Sequence, residues 1–192
     1  MRCDLGSIIN LAFQIIFMLD AIKRRRSVRK FLSKDVGQEK IDEILRAAMY
    51  APSAMHGRPW EFVVIRDIEM KAKISKATPF VGFARDAPVI LIVCGKENKL
   101  MKNLWIEDCA IAAENIYLEA TSQGLGTCFC QIVGSKSLVV TGKDSEETIR
   151  DIIGAPKDLR ILCIMPIGYP NENKDEHKDD EFDEKKVHTG KY

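Results

Sequence analysis

Charge imbalance is the first thing this chain lacks. Its 29 Lys and Arg face 28 Asp and Glu, a formal net charge of +1. No global field therefore draws the protein to nucleic acid or to an anionic surface. Aromatics make up only 7% of the chain, and they do not interleave with the basic residues to form a base-stacking platform. Long apolar runs are missing too. The segment Ile8 to Leu19 is strongly apolar, but it falls short of the ~20 residues a membrane span needs. It is also poorly built as a signal peptide, with one Arg before it, a basic cluster after it and no small-residue cleavage site between them. A helix packed on the body or on a partner subunit, a membrane-surface anchor and an extension ahead of a start at Met18 remain open; the packed helix is the simplest. There is no Cys-x-x-Cys pair. Cys128-Phe129-Cys130 has the wrong gap and no second Cys/His pair completes a set, so no zinc or iron–sulfur centre is expected. The six cysteines sit mostly in apolar runs, as buried free thiols do in a reducing compartment such as the cytoplasm. With no low-complexity tract, long linker or repeat, 192 residues read as one domain large enough for a real core.

What is present is a local concentration of charge. Six basic side chains occupy the eight positions Lys23-Arg24-Arg25-Arg26-Ser27-Val28-Arg29-Lys30. Guanidinium forks meet phosphate oxygens two at a time, and a Ser hydroxyl adds a donor. The order Arg-Ser-x-Arg, at the exit of a short helix over Asp20 to Arg26 into an extended Val28 to Phe31, suits one terminal phosphate. A solvated basic run, a targeting patch or a nucleic-acid patch is the competing reading.

Further along, Ile41, Ile44, Leu45, Ala48 and Met49 recur at helical spacing, and Pro52 stops that helix near Tyr50. Ala51-Pro52-Ser53-Ala54-Met55-His56-Gly57-Arg58-Pro59-Trp60 follows, a rigid turn whose backbone can approach a ligand, and Glu61 to Ile65 reads as a strand. Asp67 to Ala77 reads as an amphipathic surface helix and Pro79 to Arg85 as irregular. Val89 to Cys94 reads as a strand buried on both faces. Asn103 to Ser122 is a helix with so little polar surface that it belongs at the centre or against a partner subunit. Gly124-Leu125-Gly126 ends it, and Thr127 to Ile132 is a strand or loop edge. The glycines follow a helix rather than open one, against the order of a dinucleotide-binding loop. Residues 144–153 form a helix with Ile149, Ile152 and Ile153 inward, and Leu159 to Ile167 is a strand closed by Gly168-Tyr169-Pro170. The tail from Asn171 carries eight Asp and Glu between Glu172 and Glu184, which by composition alone is a solvated, disordered tail.

Arg25-Arg26-Ser27-Val28-Arg29-Lys30-Phe31, followed some twenty residues later by Ala51-Pro52-Ser53-Ala54 and Arg58-Pro59-Trp60-Glu61-Phe62, resembles the FMN-dependent nitroreductase family. Gly124-Leu125-Gly126-Thr127-Cys128 and Gly168-Tyr169-Pro170 match the same pattern. The resemblance implies an α+β fold, with a central mixed, mostly antiparallel sheet flanked by helices, built as an intertwined homodimer. Residues 1–18 would be an extension, 19–170 the FMN-binding domain, and 171–192 an arm wrapping the partner subunit. It implies FMN as cofactor, NADH or NADPH as reductant and a small electron acceptor such as a nitroaromatic or quinone. Same-fold alternatives are reductive dehalogenation and flavin processing. From other classes come a non-catalytic flavin-binding protein and a nucleic-acid module using Lys23 to Lys30.

By position, the resemblance implies that Arg25, Arg26, Ser27 and Arg29 hold the phosphate and the ring's polar edge. Pro52, Ser53, Ala54, Met55 and His56 of the other subunit would line the flavin. Cys128, Phe129, Cys130 and Gln131 would present backbone donors to it, and Lys185 or Lys186 on the arm would reach the phosphate. No protein nucleophile or acid–base dyad is expected, since hydride transfer needs alignment instead. Relatives often carry Asn at His56 and Gln at Arg58; the added charge of Arg58 suits an anionic substrate.

Overall fold

The computed structural model describes residues 18–97, 102–135 and 144–192; the apolar leader before Met18 lies outside them. The elements are α1 (Asp20–Arg24), α2 (Gln38–Met49), β1 (Trp60–Ile65), α3 (Ile68–Ile74), β2 (Val89–Lys96), α4 (Leu104–Ser122), β3 (Gly126–Thr127), β4 (Cys130–Gln131), α5 (Ser145–Ile153) and β5 (Leu159–Gly168). The strand order is β1-β2-β5-β3, with β4 also on β5. All four named pairings are antiparallel, and a parallel contact enters as the bridge between Ser27 and Thr127. This is the expected α+β architecture.

Period-two alternation divides β2 between two cores. Val89, Leu91 and Val93 pack with α2 and α4, while Ile90, Ile92 and Cys94 pack with α3 and α5 on the other face. Every residue of β2 except Lys96 is buried, which explains its unbroken apolar sequence. In β5 the alternation breaks where Val93 pairs with Cys163 and Cys94 with Ile161. Leu162 is the extra residue of this bulge, so Leu162 and Cys163 both join the α2–α4 core.

The helix α4 is the spine. At 100° per residue, Trp105, Cys109, Ala112, Ala113, Ile116 and Ala120, all buried, lie within one narrow arc. Two polar residues mark its edges: Asp108 and Tyr117, also buried, stand about 180° apart around the axis and about 13.5 Å apart along it. Leu104, Ile111 and Leu118 recur every seven residues on the opposite side; Leu104 and Ile111 are exposed and Leu118 is half-buried.

Three local differences from the sequence reading have physical causes. The amphipathic helix is shorter than expected, Ile68–Ile74. Its Lys71 is buried, donating to the carbonyl oxygens of Ala87 at 2.7 Å and Pro88 at 3.3 Å; burial pulls its pKa below the usual lysine value. Gly82–Asp86, expected to be irregular, closes a 3₁₀ turn. The tail folds: Asp179–Glu181 and Glu184–Lys186 form 3₁₀ turns, and its first half lies on α1 and the segment after it.

Gly126 lets the Ser27–Val28 segment lie directly against β3. A Cβ there would fall 2.6–2.8 Å from the three branching carbons of Val28. Val28 is buried, and its N–H donates to the Thr127 carbonyl at 2.9 Å. A β-branched side chain has little rotamer freedom to retreat. Gly126→Ala is therefore expected to destabilise the fold by about 1–3 kcal/mol, read as a lower denaturant midpoint at unchanged slope. An unshifted midpoint would contradict this packing.

Candidate cofactor site

The basic motif converges on shared partners. Arg25 lies over the Tyr117 ring, 4.8 Å from its centroid, and the Tyr117 hydroxyl donates to Ser27 Oγ at 2.8 Å. Burial pushes the Tyr117 phenol up, so it stays a donor at neutral pH. Arg29 sits above Phe83 at 6.0 Å. Arg26, with Arg24 and Val28, lines a cleft of about 400 Å³ that Gly126, Glu172 and Lys174 close.

The tail supplies the other half. Glu172 accepts the backbone N–H of Arg29 at 2.5 Å and of Lys30 at 3.2 Å. The Arg29 N–H above all, then the Lys30 N–H and Lys174, hold its carboxyl below the ordinary range. Lys174 Nζ also donates to the Ser27 carbonyl and lies 3.6 Å from Glu172. Arg25 contacts His177 Nε2 at 3.1 Å, and His177 Nδ1 contacts Glu181 at 2.7 Å. A guanidinium can only donate, so Nε2 is the acceptor and Nδ1 carries the proton given to Glu181. Lys23 pairs with Glu176 at 3.4 Å. Lys185 and Lys186, the expected arm cations, stand on an exposed turn of this chain, with Lys186 3.7 Å from Asp183. In the single chain Lys174 is the arm lysine at the motif.

Behind the motif lies the Cys128–Gln131 segment. Cys128 and Cys130 are buried, whereas Phe129 and Gln131 are exposed. Cys130 Sγ points to the Cys128 carbonyl at 3.5 Å. Cys128 is pushed down to about 6, chiefly by a hydrogen bond from Cys130, with help from Arg29, Ser27 and Lys174. Elsewhere burial dominates and lifts Cys94 and Cys109 to about 12.

The Pro52–Arg58 turn sits apart. Met55 (φ 50°), His56 (φ 58°) and Arg58 (φ 44°) are left-handed although none is glycine, while Gly57 has φ −70°. Such residues cost on the order of 1–3 kcal/mol each and persist only where their surroundings hold them. The holders are Asp108, which accepts the Ala54 N–H at 2.9 Å, and Ser53 Oγ, which accepts the Arg58 N–H at 3.0 Å. Met55 and His56 project outward, Met55 with 87% of its surface exposed. Beside the turn is a second cleft of about 310 Å³, lined by Arg58, Trp60, Lys96, Trp105 and Asp108 among others. Since Asp108 and Tyr117 lie on opposite edges of α4, the turn and the basic motif attach to different sides of the helix.

The residues that sequence reasoning missed were hidden by their neighbours. Lys174, Glu172 and His177 were masked by the charge of the tail, although Lys174 follows Gly168-Tyr169-Pro170 closely. Asp108 was the detectable one: a carboxylate among Trp105, Cys109 and Ala112 interrupts an otherwise apolar helix face.

Comparison with known proteins gives one consistent family. The model of the Nitroreductase family matches residues 22–79 and 76–169. A protein of Methanothermobacter thermautotrophicus, provisionally named an NADH dehydrogenase/NAD(P)H nitroreductase, is 39% identical over 176 residues, covering 91% of this chain and 87% of its own. The FMN-dependent nitroreductase structure from Clostridium difficile superposes with a TM-score of 0.84 at 34% identity, over 91% of this chain and 100% of that one. The iodotyrosine deiodinase of Thermotoga neapolitana is 25% identical over 182 residues, 82% of this chain and 90% of its own.

Two outcomes follow from the geometry. Asp108→Ala strands the Ala54 N–H, at an expected cost of about 1–3 kcal/mol, and should open residues 53–58 to proteolysis, whereas Asp108→Asn keeps an acceptor and most of the stability. Equal behaviour of the two variants would remove Asp108 as the clamp. Because the Cys128 value is depressed, its thiolate forms as pH rises through about 6. Ultraviolet difference spectra should show one thiolate appearing there, absent in Cys128→Ser; a wild-type transition only near 8–9, where free Cys titrates, would contradict the assigned surroundings.

Proposed function

The chain belongs to the nitroreductase family, and from that premise we propose that two copies hold FMN between them and pass hydride from NADH or NADPH to a nitroaromatic, quinone or similar small acceptor. The observation that carries this reading is the anion grip at Arg25–Lys30. Backbone N–H groups and Lys174 hold the Glu172 carboxylate there, beside guanidinium groups whose geometry suits a phosphate. This donor set fits the phosphate of FMN.

In this reading Arg25, Arg26, Ser27, Arg29 and Lys174 bind and orient the phosphate, with Tyr117 fixing the Ser27 hydroxyl. Backbone donors of Cys128, Phe129, Cys130 and Gln131 would stabilise negative charge on the ring edge. Pro52, Ser53, Ala54, Met55 and His56 would come from the second copy. Support for a second copy lies in α4: Asp108 and Tyr117 hold the two halves of the site on opposite edges, and Leu104 and Ile111 leave apolar surface on a third side. Arg58 would stand at the mouth and draw anionic acceptors. Bound FMN would supply the redox chemistry, storing the hydride between donor and acceptor.

The test is an absorption spectrum of purified protein before and after anaerobic NADPH or NADH, followed by a panel of nitroaromatic, quinone and halophenol acceptors. Flavin bands that bleach and recover with a nitro or quinone acceptor are expected. Preference for the halophenol would favour the dehalogenase alternative, and bands that never bleach a non-catalytic flavoprotein. Colourless monomer with salt-sensitive DNA binding would defeat the proposal. Arg25→Ala and Arg29→Ala should each weaken FMN binding about 10- to 100-fold, the worth of one charged hydrogen bond.

A further inference from the structure

We propose that Cys128 and Cys130 form a peroxide-sensitive dithiol, which a hydroperoxide closes to an intrachain disulfide beside the Arg25–Arg29 motif. This role goes beyond the flavin reading, which asks only for the backbone of this segment.

Placement is the first argument. The two side chains join the same core as Ile164 and Ile132, while Phe129 between them is exposed. One residue separates them, Cys128 lying just past the end of β3 and Cys130 opening β4. Cys130 Sγ already turns towards Cys128. The segment has no long ladder to lose on bending, because β3 and β4 are two residues each and part at Cys128.

Surroundings are the second argument. The Ser27–Thr127 bridge brings the basic motif alongside Cys128, and Lys174 is anchored on the Ser27 carbonyl. The charged and polar groups acting on Cys128 are Arg29, Lys174, Ser27 and Cys130, and together they favour its thiolate. Its partner Cys130 is raised, first by the same hydrogen bond and then by burial. One thiol is thus an attacking group and the other a resolving group. Cys94, Cys109 and Cys163 lie in the core with burial raising all three; they act as internal controls.

The chemistry balances with hydroperoxide as the oxidant. The Cys128 thiolate attacks one peroxide oxygen, the O–O bond breaks, and the departing oxide takes a proton to leave as water or an alcohol. Cys128 is then a sulfenic acid. The Cys130 sulfur attacks Cys128 sulfur, the S–S bond forms, the S–O bond breaks, and hydroxide leaves with the Cys130 proton as water. Two thiols are oxidised and one peroxide is reduced.

The test uses reduced, full-length protein as purified, treated with hydrogen peroxide, quenched by denaturation with an alkylating agent and mapped by mass spectrometry. The peptide holding Cys128 and Cys130 should become lighter by two hydrogens, resist alkylation at both sites and recover with dithiothreitol, while Cys94, Cys109 and Cys163 remain alkylatable. In Cys130→Ser a dimedone probe should capture a sulfenic acid on Cys128; in Cys128→Ser neither bridge nor capture should appear. No bridge at peroxide excess, a bridge to another cysteine, or capture on Cys130 would overturn the proposal. Flavin absorbance in the same samples reports cofactor binding separately, so a colourless protein that still forms the bridge would sink the cofactor reading alone.

Discussion

The segment Ser27–Val28 lies against Gly126–Thr127 at a distance no side chain on residue 126 would permit. That close approach sets where everything polar in the candidate site stands. It places Ser27 under the Tyr117 hydroxyl and Arg29 and Lys174 near Cys128. It also leaves the N–H groups of Arg29 and Lys30 free to grip Glu172. Because β3 pairs with β5 through Gly126 and Gly168, the motif is tied directly to the best-buried strand of the sheet. A site built on the edge of a rigid sheet keeps its geometry better than one carried by a loop.

The long helix α4 solves a different problem. It must fill the space over one sheet face and also hold two polar attachments. Small residues at 112, 113 and 120 let it sit close to its neighbours, while Asp108 and Tyr117 occupy the borders of the buried arc. A buried carboxylate is costly unless it is hydrogen-bonded, and Asp108 meets that condition with the Ala54 N–H. The same bond helps hold the left-handed residues of the turn, so strain there is offset by a contact some fifty residues away in sequence. The arm beyond Pro170 is tied down in the same way, by carboxylates and one histidine placed opposite the basic motif.

Five thiols are buried among the described residues, and their neighbourhoods separate them. Cys94, Cys109 and Cys163 are surrounded by apolar groups, which favour the neutral form. Cys128 is buried too, but the hydrogen bond from Cys130 outweighs its burial, and Arg29, Ser27 and Lys174 add to that effect. Burial alone is a poor guide to reactivity here.

Much was readable from residue order. Helix spacing placed α2 and α4, the unbroken apolar run marked β2 as buried on both faces, and the pairing of Arg-Ser-x-Arg with the Pro-Ser turn pointed to the family. These features are local: periodicity and turn chemistry act over a few residues and leave their mark in composition. The folding of the tail could not be read that way, because its charges are neutralised by partners 140 to 150 residues away and composition alone describes a solvated chain. Nor could the left-handed conformations of Met55, His56 and Arg58, which run against their intrinsic preference and depend on Asp108 and Ser53. The poise of Cys128 belongs in part with these. The sequence determined that a thiol would stand there, two residues from the Cys130 that chiefly lowers it; the added pull of Arg29, Ser27 and Lys174 was decided only by the fold, because electrostatic energy depends on distance in space and not on position along the chain.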